Sequence, residues 1–233
     1  MATEQKKAVV LLSGGLDSST CLAWARDNGY ECYALTVSYG QRHTIEIDRA
    51  RQVAKTLGAA DHKLVTVNLG DIADSALTNP DAVVPKDRDH IGSPGDVPVT
   101  YVPARNLVML SLALSWAESI DAHTLIIGTN VLDYSGYPDC RPEFLRAFEA
   151  VAQQATRAGG FEIQAPLMDL HKKDIIKLGT SLGLDYGMTI SCYDPDPKGA
   201  ACGHCDACVL RRQGFEQAGV PDPTPYMKES HDD

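Results

Sequence analysis

The chain has 233 residues, of which 44% are hydrophobic and 22% are charged, and its formal net charge is −10. This length suits one α/β domain with an appendage, or two small domains. The acidic charge argues against a nucleic-acid partner, because such a site needs clustered Lys and Arg. The longest basic runs are the doublets Lys6–Lys7, Lys172–Lys173 and Arg211–Arg212, and we interpret the first and last as solvated surface. No apolar run approaches the ~20 residues that cross a bilayer, and no secretion signal is evident, so we expect a cytoplasmic protein without membrane association.

Strands and helices alternate along most of the chain. The continuous apolar run of residues 8–12 predicts a buried parallel strand, and the later predicted strands cover 32–38, 63–69, 124–128 and 161–165. Helices are predicted over 18–28, 43–57, 105–120, 142–158 and 172–182, with Leu107, Leu110 and Leu114 on one face of the third. This alternation predicts an α/β fold with a doubly wound, mainly parallel five-stranded sheet.

Two segments depart from the alternation. Residues 71–103 are rich in Pro, Gly and Asp, and irregular segments of that length in compact domains are usually functional lids. After Gly187, proline, glycine and cysteine replace the periodic pattern. We therefore divide the chain into an α/β domain, 8–187, and a C-terminal cysteine-containing region and tail, 188–233.

A glycine- and serine-rich loop, SGGLDSS at Ser13–Ser19, lies where the first strand gives way to a helix. Helix N-termini offer free N–H groups and a positive dipole end to anions, and glycines allow the backbone to approach phosphate closely. The serine hydroxyls can donate further hydrogen bonds, and Asp17 could hold a magnesium ion on the phosphates. The alternative is an ordinary strand-to-helix turn with an N-cap.

The whole string favours the first interpretation. It lacks the lysine of a Walker loop and the spacing of a dinucleotide fingerprint. It resembles instead the S-G-G-x-D-S loop of the PP-loop ATP pyrophosphatases, which bind ATP and cleave it between the α and β phosphates. The positions that this resemblance assigns to ATP are Leu12, Ser13, Gly14, Gly15, Leu16, Asp17, Ser18, Ser19 and Thr20.

Four of the seven cysteines crowd one short segment, at Cys192, Cys202, Cys205 and Cys208. Four thiolates at such spacings suit a tetrahedral zinc ion with no open coordination position, which would make the site structural. The C-x2-C-x2-C run also opens iron–sulfur motifs, although the gap after Cys192 differs from those motifs. We favour one structural zinc per chain.

Further strings accompany the phosphate loop: YGQRH at 39–43, VPARN at 102–106, DYSGYPDCRPEF at 133–144, Pro166–Leu167 with Lys172, and Ser191–Tyr193 followed by the cysteine run. In this order, behind the loop, they resemble one family, the 7-cyano-7-deazaguanine synthases of the queuosine pathway. The resemblance implies an adenine nucleotide alpha hydrolase-like fold, a homodimer, and synthesis of a nitrile from 7-carboxy-7-deazaguanine, ammonia and ATP with Mg²⁺.

The resemblance also implies roles for single residues. Lys172 is expected to reach the phosphates, and Arg105 and Asn106 are expected to contact phosphate or the substrate carboxylate. With Asp17, these are the catalytic candidates. Carboxylates can accept hydrogen bonds from a guanine-like edge, and tyrosines can stack on its ring. The substrate-binding candidates are Asp133, Tyr134, Tyr137 and Asp139, each of which could instead be a turn residue.

Two other functions stay open. One is a tRNA-modifying PP-loop enzyme, such as a thiolase with an iron–sulfur site, which the acidic charge disfavours. The other is a zinc-containing nucleic-acid-binding module without catalysis, which would need a basic patch that the sequence does not contain.

Overall fold

The computed structural model describes residues 5–88, 91, 97–132 and 136–228. Its sheet has five strands in the order β3-β2-β1-β4-β5, and every neighbouring pair is parallel. The strands are β1 (Lys7–Leu11), β2 (Glu31–Ser38), β3 (Asp61–Thr66), β4 (Thr124–Ile126) and β5 (Glu162–Gln164). The central strand is the first in the chain, and the later strands are added on both sides of it. This confirms the predicted doubly wound parallel sheet.

Six α-helices cover the two faces of this sheet. They are α1 (Leu16–Asp27), α2 (Ile45–Thr56), α3 (Arg105–Ser119), α4 (Pro142–Ala155), α5 (Lys172–Ser181) and α6 (Asp206–Ala218). Because successive side chains of a strand point to opposite faces, Ala8 and Val10 of β1 join a core with α1, α2, α5 and α6. Val9 and Leu11 join the opposite core, with α3 and α4.

The predicted elements are all present, with shifts of a few residues at their ends. β3 begins two residues earlier than predicted and lies at the sheet edge, where most of its side chains are exposed. On α3, Leu110 and Leu114 are buried, but Leu107 is 42% exposed. The prediction of one shared face was therefore wrong for Leu107, which the packing of α3 leaves on the solvent side.

The C-terminal region contains a helix that the sequence pattern did not predict, α6. Phe215 of this helix is buried in the same core as residues of α1 and α5, so the C-terminal region packs on the α/β domain. The domain boundary near Gly187 stays a prediction. Arg211, interpreted above as solvated, is only 2% exposed. That interpretation was wrong, because α6 packs against the sheet domain and turns Arg211 inward.

The long middle segment is not structureless where it is described. The backbone N–H of Arg42 donates to the carbonyl of Leu77, and that of Ala76 donates to Val99. Lys86 pairs with Cys205 in an isolated antiparallel bridge. None of the helices in the described part of the chain is both long enough and apolar enough to cross a membrane.

Candidate active site and metal centre

The phosphate loop, residues 12–20, follows β1 and enters the first turns of α1. Its serines shape it before any ligand binds: the Ser13 N–H donates to Ser18 Oγ at 3.1 Å, and the Ser18 hydroxyl donates to the Gly15 carbonyl at 3.3 Å. The N-cap residue of α1, Gly15, has no side chain with which to cap the helix. The first N–H groups of α1 are therefore available to an anion.

Glycine is needed where the loop meets its neighbours. Gly14 has a φ of +81°, and a Cβ there would lie 2.4 Å from the carbonyl oxygen of Glu46 and 2.7 Å from the nitrogen of Ala50, both in α2. A Cβ on Gly128, after β4, would lie 3.0 Å from the Ser18 nitrogen. These close approaches hold the loop between α2 and the end of β4.

The predicted loop residues divide into two groups. Six line a common cavity: Leu12, Ser13, Gly15, Leu16, Asp17 and Ser18. Ser19 and Thr20 are fully buried, and the Thr20 hydroxyl lies 2.9 Å from the Leu16 carbonyl oxygen and 2.8 Å from the Tyr186 hydroxyl. Gly14, Ser19 and Thr20 therefore support the loop from the core side.

This cavity has a volume of about 310 Å³ and lies at the carboxyl ends of β1, β2 and β4. Open parallel sheets bind ligands at this edge, at the point where the order in which strands are added reverses direction. Arg105, Asn106, Tyr137 and Lys172 join the loop residues in its wall. The structure thus brings most of the predicted site residues together from distant parts of the sequence.

Asp17 and Lys172 form an ion pair across the cavity wall. The Lys172 Nζ lies 2.8 Å from Asp17 Oδ1 and 2.9 Å from Oδ2. The stem of Lys172 packs on α6, where a Cβ at Gly214 would come within 2.5 Å of Lys172 Cγ. A helix absent from the sequence prediction therefore helps to position the lysine beside the loop.

Arg105 begins α3 and lies among tyrosines. Its guanidinium carbon is 5.4 Å from the ring centre of Tyr39 and 5.9 Å from that of Tyr137. The preceding residue, Ala104, has a left-handed φ of +55°, a conformation that costs energy for a residue with a Cβ. Such strain clusters at functional sites, and here it immediately precedes Arg105, which lines the cavity.

Asp139 supports the start of α3. Its Oδ2 accepts from the Asn106 N–H at 2.8 Å, and its carbonyl accepts from Asn106 Nδ2 at 3.1 Å. The Asp139 side chain is buried and is not among the residues that line the cavity, and its predicted substrate contact stays a prediction. Asp133 and Tyr134 lie outside the described residues, and their roles stay predictions.

Glu46, His43 and Arg211 line the cavity but were not predicted as site residues. Glu46, in the first turn of α2, is half-buried, and burial raises the pKa of its carboxyl to about 7 while Arg105 opposes the rise. Burial lowers the pKa of His43, whose Nδ1 is buried without a hydrogen-bond partner. Arg211 donates to Thr189 Oγ1 at 2.8 Å and to the Tyr186 carbonyl at 3.1 Å. No sequence signal marked Glu46, because it is one of two acidic residues in the first turn of an amphipathic helix.

The four clustered cysteines converge as predicted. Their sulfur atoms all lie within 4.8 Å of one another, and all four residues are buried. Backbone N–H groups point at the sulfurs: Cys202 N lies 3.2 Å from Cys192 Sγ, and Cys205 N lies 3.3 Å from Cys202 Sγ. Donors aimed at sulfur stabilise thiolates, so the cluster could hold a metal ion.

A piece of the long middle segment packs against this cluster. Val84 lies in the cluster's apolar shell, and the guanidinium of Arg88 forms an ion pair with Asp206, at the start of α6. His204 lies between two of the cysteines, and its Nδ1 is 2.9 Å from Asp87 Oδ1. The cluster therefore joins the middle segment to the C-terminal region.

The fold and the loop together define a doubly wound α/β protein with a phosphate loop at the carboxyl end of its first strand. Among solved structures, a 4-thiouridine synthetase in complex with RNA and bound ATP aligns with a TM-score of 0.51 and 18% identity, covering 95% of this chain and 47% of the other. At that identity the likeness concerns the fold alone.

Residues 7–219 match the family described as "Queuosine biosynthesis protein QueC", and the chain belongs to this family. A protein of Aromatoleum aromaticum named 7-cyano-7-deazaguanine synthase is 58% identical over 228 residues, covering 96% of this chain and 99% of its own length. A protein of Azoarcus sp. with the same name is 58% identical over 229 residues, covering 97% and 99%.

Proposed function

We propose that this protein is a 7-cyano-7-deazaguanine synthase, an ATP-dependent ligase that forms a carbon–nitrogen bond in queuosine precursor biosynthesis. Its substrates are 7-carboxy-7-deazaguanine, ammonia and ATP. The observation that carries the proposal is the Asp17–Lys172 pair beside the phosphate loop, in a cavity that also contains Arg105. Family membership supplies the substrate class.

The cavity suits activation of a carboxylate. A carboxylate resists attack by ammonia because hydroxide is a poor leaving group. Transfer of the adenylyl group of ATP to the carboxylate oxygen, with release of pyrophosphate, makes AMP the leaving group instead. The free N–H groups at the start of α1 and the Lys172 ammonium offset negative charge on the phosphates. Arg105 can hold the substrate carboxylate near the α-phosphate. This positioning makes the step effectively unimolecular and lowers its entropic cost.

The same site can serve a second activation. Ammonia attacks the acyl-adenylate to form an amide, and a second ATP then adenylates the amide oxygen. Departure of AMP leaves the nitrile. Both rounds need an oxygen placed near the α-phosphate, so a single phosphate loop is sufficient for both.

The donor sets fit two ions. A tetrahedral zinc ion with Zn–S bonds of about 2.3 Å holds its sulfurs about 3.8 Å apart, and the four sulfurs here already lie within 4.8 Å. In an iron–sulfur cluster the thiolates bind different irons, which spreads them farther apart. We therefore assign the cluster to structural zinc. Asp17 would offer a carboxylate oxygen to Mg²⁺, and the ion would neutralise negative charge on the phosphates of ATP.

The acidic composition and the absence of a basic block support a small-molecule substrate over nucleic acid. A cytoplasmic location and a homodimer complete the proposal. Mass spectrometry of a reaction containing 7-carboxy-7-deazaguanine, ATP, magnesium and ammonium tests it. The nitrile should form, and the amide should accumulate when ATP is limiting. ATP turnover stimulated only by tRNA would contradict the proposal and favour a tRNA-modifying enzyme.

A further inference from the structure

Glu46 has the position of a working group rather than of a structural one. It lies in the first turn of α2 and lines the cavity. Its backbone carbonyl stands directly against Gly14 of the phosphate loop. The side chain is half-buried, yet within the described chain its carboxylate has no hydrogen bond and no ion pair. Burying an unpaired carboxylate is costly, and natural proteins seldom accept that cost without a use for the group.

The surroundings of Glu46 suit proton exchange. Burial raises the pKa of its carboxyl to about 7, while the positive charge of Arg105, at the start of α3, opposes the rise. Tyr39, which follows β2 and also lines the cavity, is close enough for the Glu46 carboxylate to raise the pKa of its hydroxyl. A group that titrates near neutral pH can both take up and release a proton. Phosphates bound at the loop would raise its proton affinity further, because like charges disfavour the ionised form.

The other titratable groups of the cavity are less suited to this task. Both carboxylate oxygens of Asp17 accept from the Lys172 ammonium, at 2.8 and 2.9 Å. The imidazole of His43 is less available, because its Nδ1 is buried and the backbone of Tyr193 and Cys192 forms hydrogen bonds that act on the ring. Glu46 is the carboxylate that is both unpaired and accessible among the described cavity residues.

We propose that Glu46 accepts the protons that leave the substrate nitrogen, an inference that rests on the proposed function. In the first round the ammonia lone pair forms the C–N bond, the C–O bond to AMP breaks, and the surplus N–H proton passes to Glu46. In the second round the amide oxygen attacks the α-phosphorus and pyrophosphate leaves. Two N–H protons then leave as the C–O bond breaks and the nitrile forms, and Glu46 takes each proton and returns it to solvent.

Adenylation of the carboxylate transfers no proton, and this separates a catalytic Glu46 from a structural one. Exchange of labelled pyrophosphate into ATP, with 7-carboxy-7-deazaguanine and without ammonia, measures adenylation alone. In Glu46→Gln we expect this exchange to stay within about threefold of wild type, while nitrile formation falls about 10²–10⁴-fold. Glu46→Asp should recover part of the loss, because it restores a carboxylate.

Asp48→Asn is the matched control, since Asp48 is an exposed carboxylate in the same turn of α2. It should leave both rates unchanged. Equal losses of exchange and nitrile formation in Glu46→Gln, with a melting temperature no lower than that of wild type, would overturn the assignment. Unchanged nitrile formation would overturn it as well. If wild type itself catalyses no exchange with this acid, the proposed function fails first, and the role of Glu46 fails with it. If Glu46→Gln does not fold, Glu46→Asp must show the same split between the two rates, and equal losses there would refute the proposal.

Discussion

The phosphate loop and the cysteine cluster are both short, glycine-containing motifs, but different forces hold them in place. The loop rests on β1, whose apolar side chains Ala8, Val9 and Val10 are fully buried, and its own serines bond its backbone. The cysteine cluster has a small apolar shell, and its closest internal contacts are N–H groups directed at sulfur.

One motif is therefore shaped by the core, whereas the other needs a ligand to shape it. Four buried thiolates within 4.8 Å would repel one another without a cation. The two motifs are nevertheless connected, because the Ile190 N–H donates to the Gly14 carbonyl at 3.0 Å, two residues before Cys192. The following predictions test how independent the two regions are.

Loss of a cysteine ligand should have the largest effect. Binding of structural zinc can contribute on the order of 10 kcal/mol to local folding, so Cys205→Ser should lose the metal, melt at lower temperature and become less soluble. Activity should fall as a consequence of disorder. Metal analysis of wild type should find about one zinc per chain.

Cys32→Ser is the control, since Cys32 is buried far from the cluster in the sequence and lies in β2. A brown wild-type protein with iron and inorganic sulfide would refute the zinc assignment. A stably folded, fully active, metal-free protein would refute the structural role.

Arg211 stabilises the C-terminal region through contacts that do not involve the cysteine cluster. Its Nε lies 3.1 Å from Asp222 Oδ1, and the two side chains are 2% and 11% exposed. Arg211→Gln leaves Asp222 without its cationic partner, and only the Thr224 N–H and the Tyr226 hydroxyl still donate to the carboxylate among the described residues. The free energy of unfolding should therefore fall by about 3 kcal/mol. Urea unfolding measures this loss, and zinc content should stay near one per chain if the cluster is held by its ligand. Arg212→Gln is the control, because Arg212 is the exposed neighbour of Arg211. It should change the free energy of unfolding by less than about 0.5 kcal/mol.

Asp17→Asn should separate the loop's shape from its chemistry. The core and the serines keep the loop folded, so substrate binding and thermal stability should change little. The Lys172 ammonium loses its anionic partner, and ATP cleavage should fall about 10²–10³-fold. Asp27→Asn, at the exposed end of the same helix, is the matched control. Turnover at the wild-type rate would mean that Asp17 is only a turn residue.

The smallest effect concerns pH. Burial raises the pKa of the Glu46 carboxyl from its ordinary value of 4.5 to about 7. Below pH 4.5 the group is protonated in both the folded and the unfolded chain, and between pH 4.5 and 7 only the unfolded chain ionises, so wild type loses stability as pH rises through this window. Glu46→Gln has no such penalty. Its melting temperature should exceed that of wild type by roughly 2–4 °C at pH 8, a gain of about 1 kcal/mol, and by less at pH 5. An equal difference at both pH values would contradict the raised pKa.

The local features of this protein could be predicted from the sequence alone. Apolar runs, glycine stops and the SGGLDSS loop depend on neighbouring residues. They sufficed to predict the parallel sheet, its five strands, the helices α1 to α5 and the position of the loop. The spacing of the cysteines likewise predicted one cluster, because a metal site built from one short segment needs little information from elsewhere.

Only the tertiary structure decided which residues meet across long sequence distances. It paired Lys172 with Asp17 and placed Gly214 of α6 against the lysine stem. It buried Arg211, and it exposed Glu46 to the cavity. The physical reason is that the orientation of these side chains depends on how helices dock on the sheet. Docking is set by packing between elements, which composition and periodicity along one element do not encode.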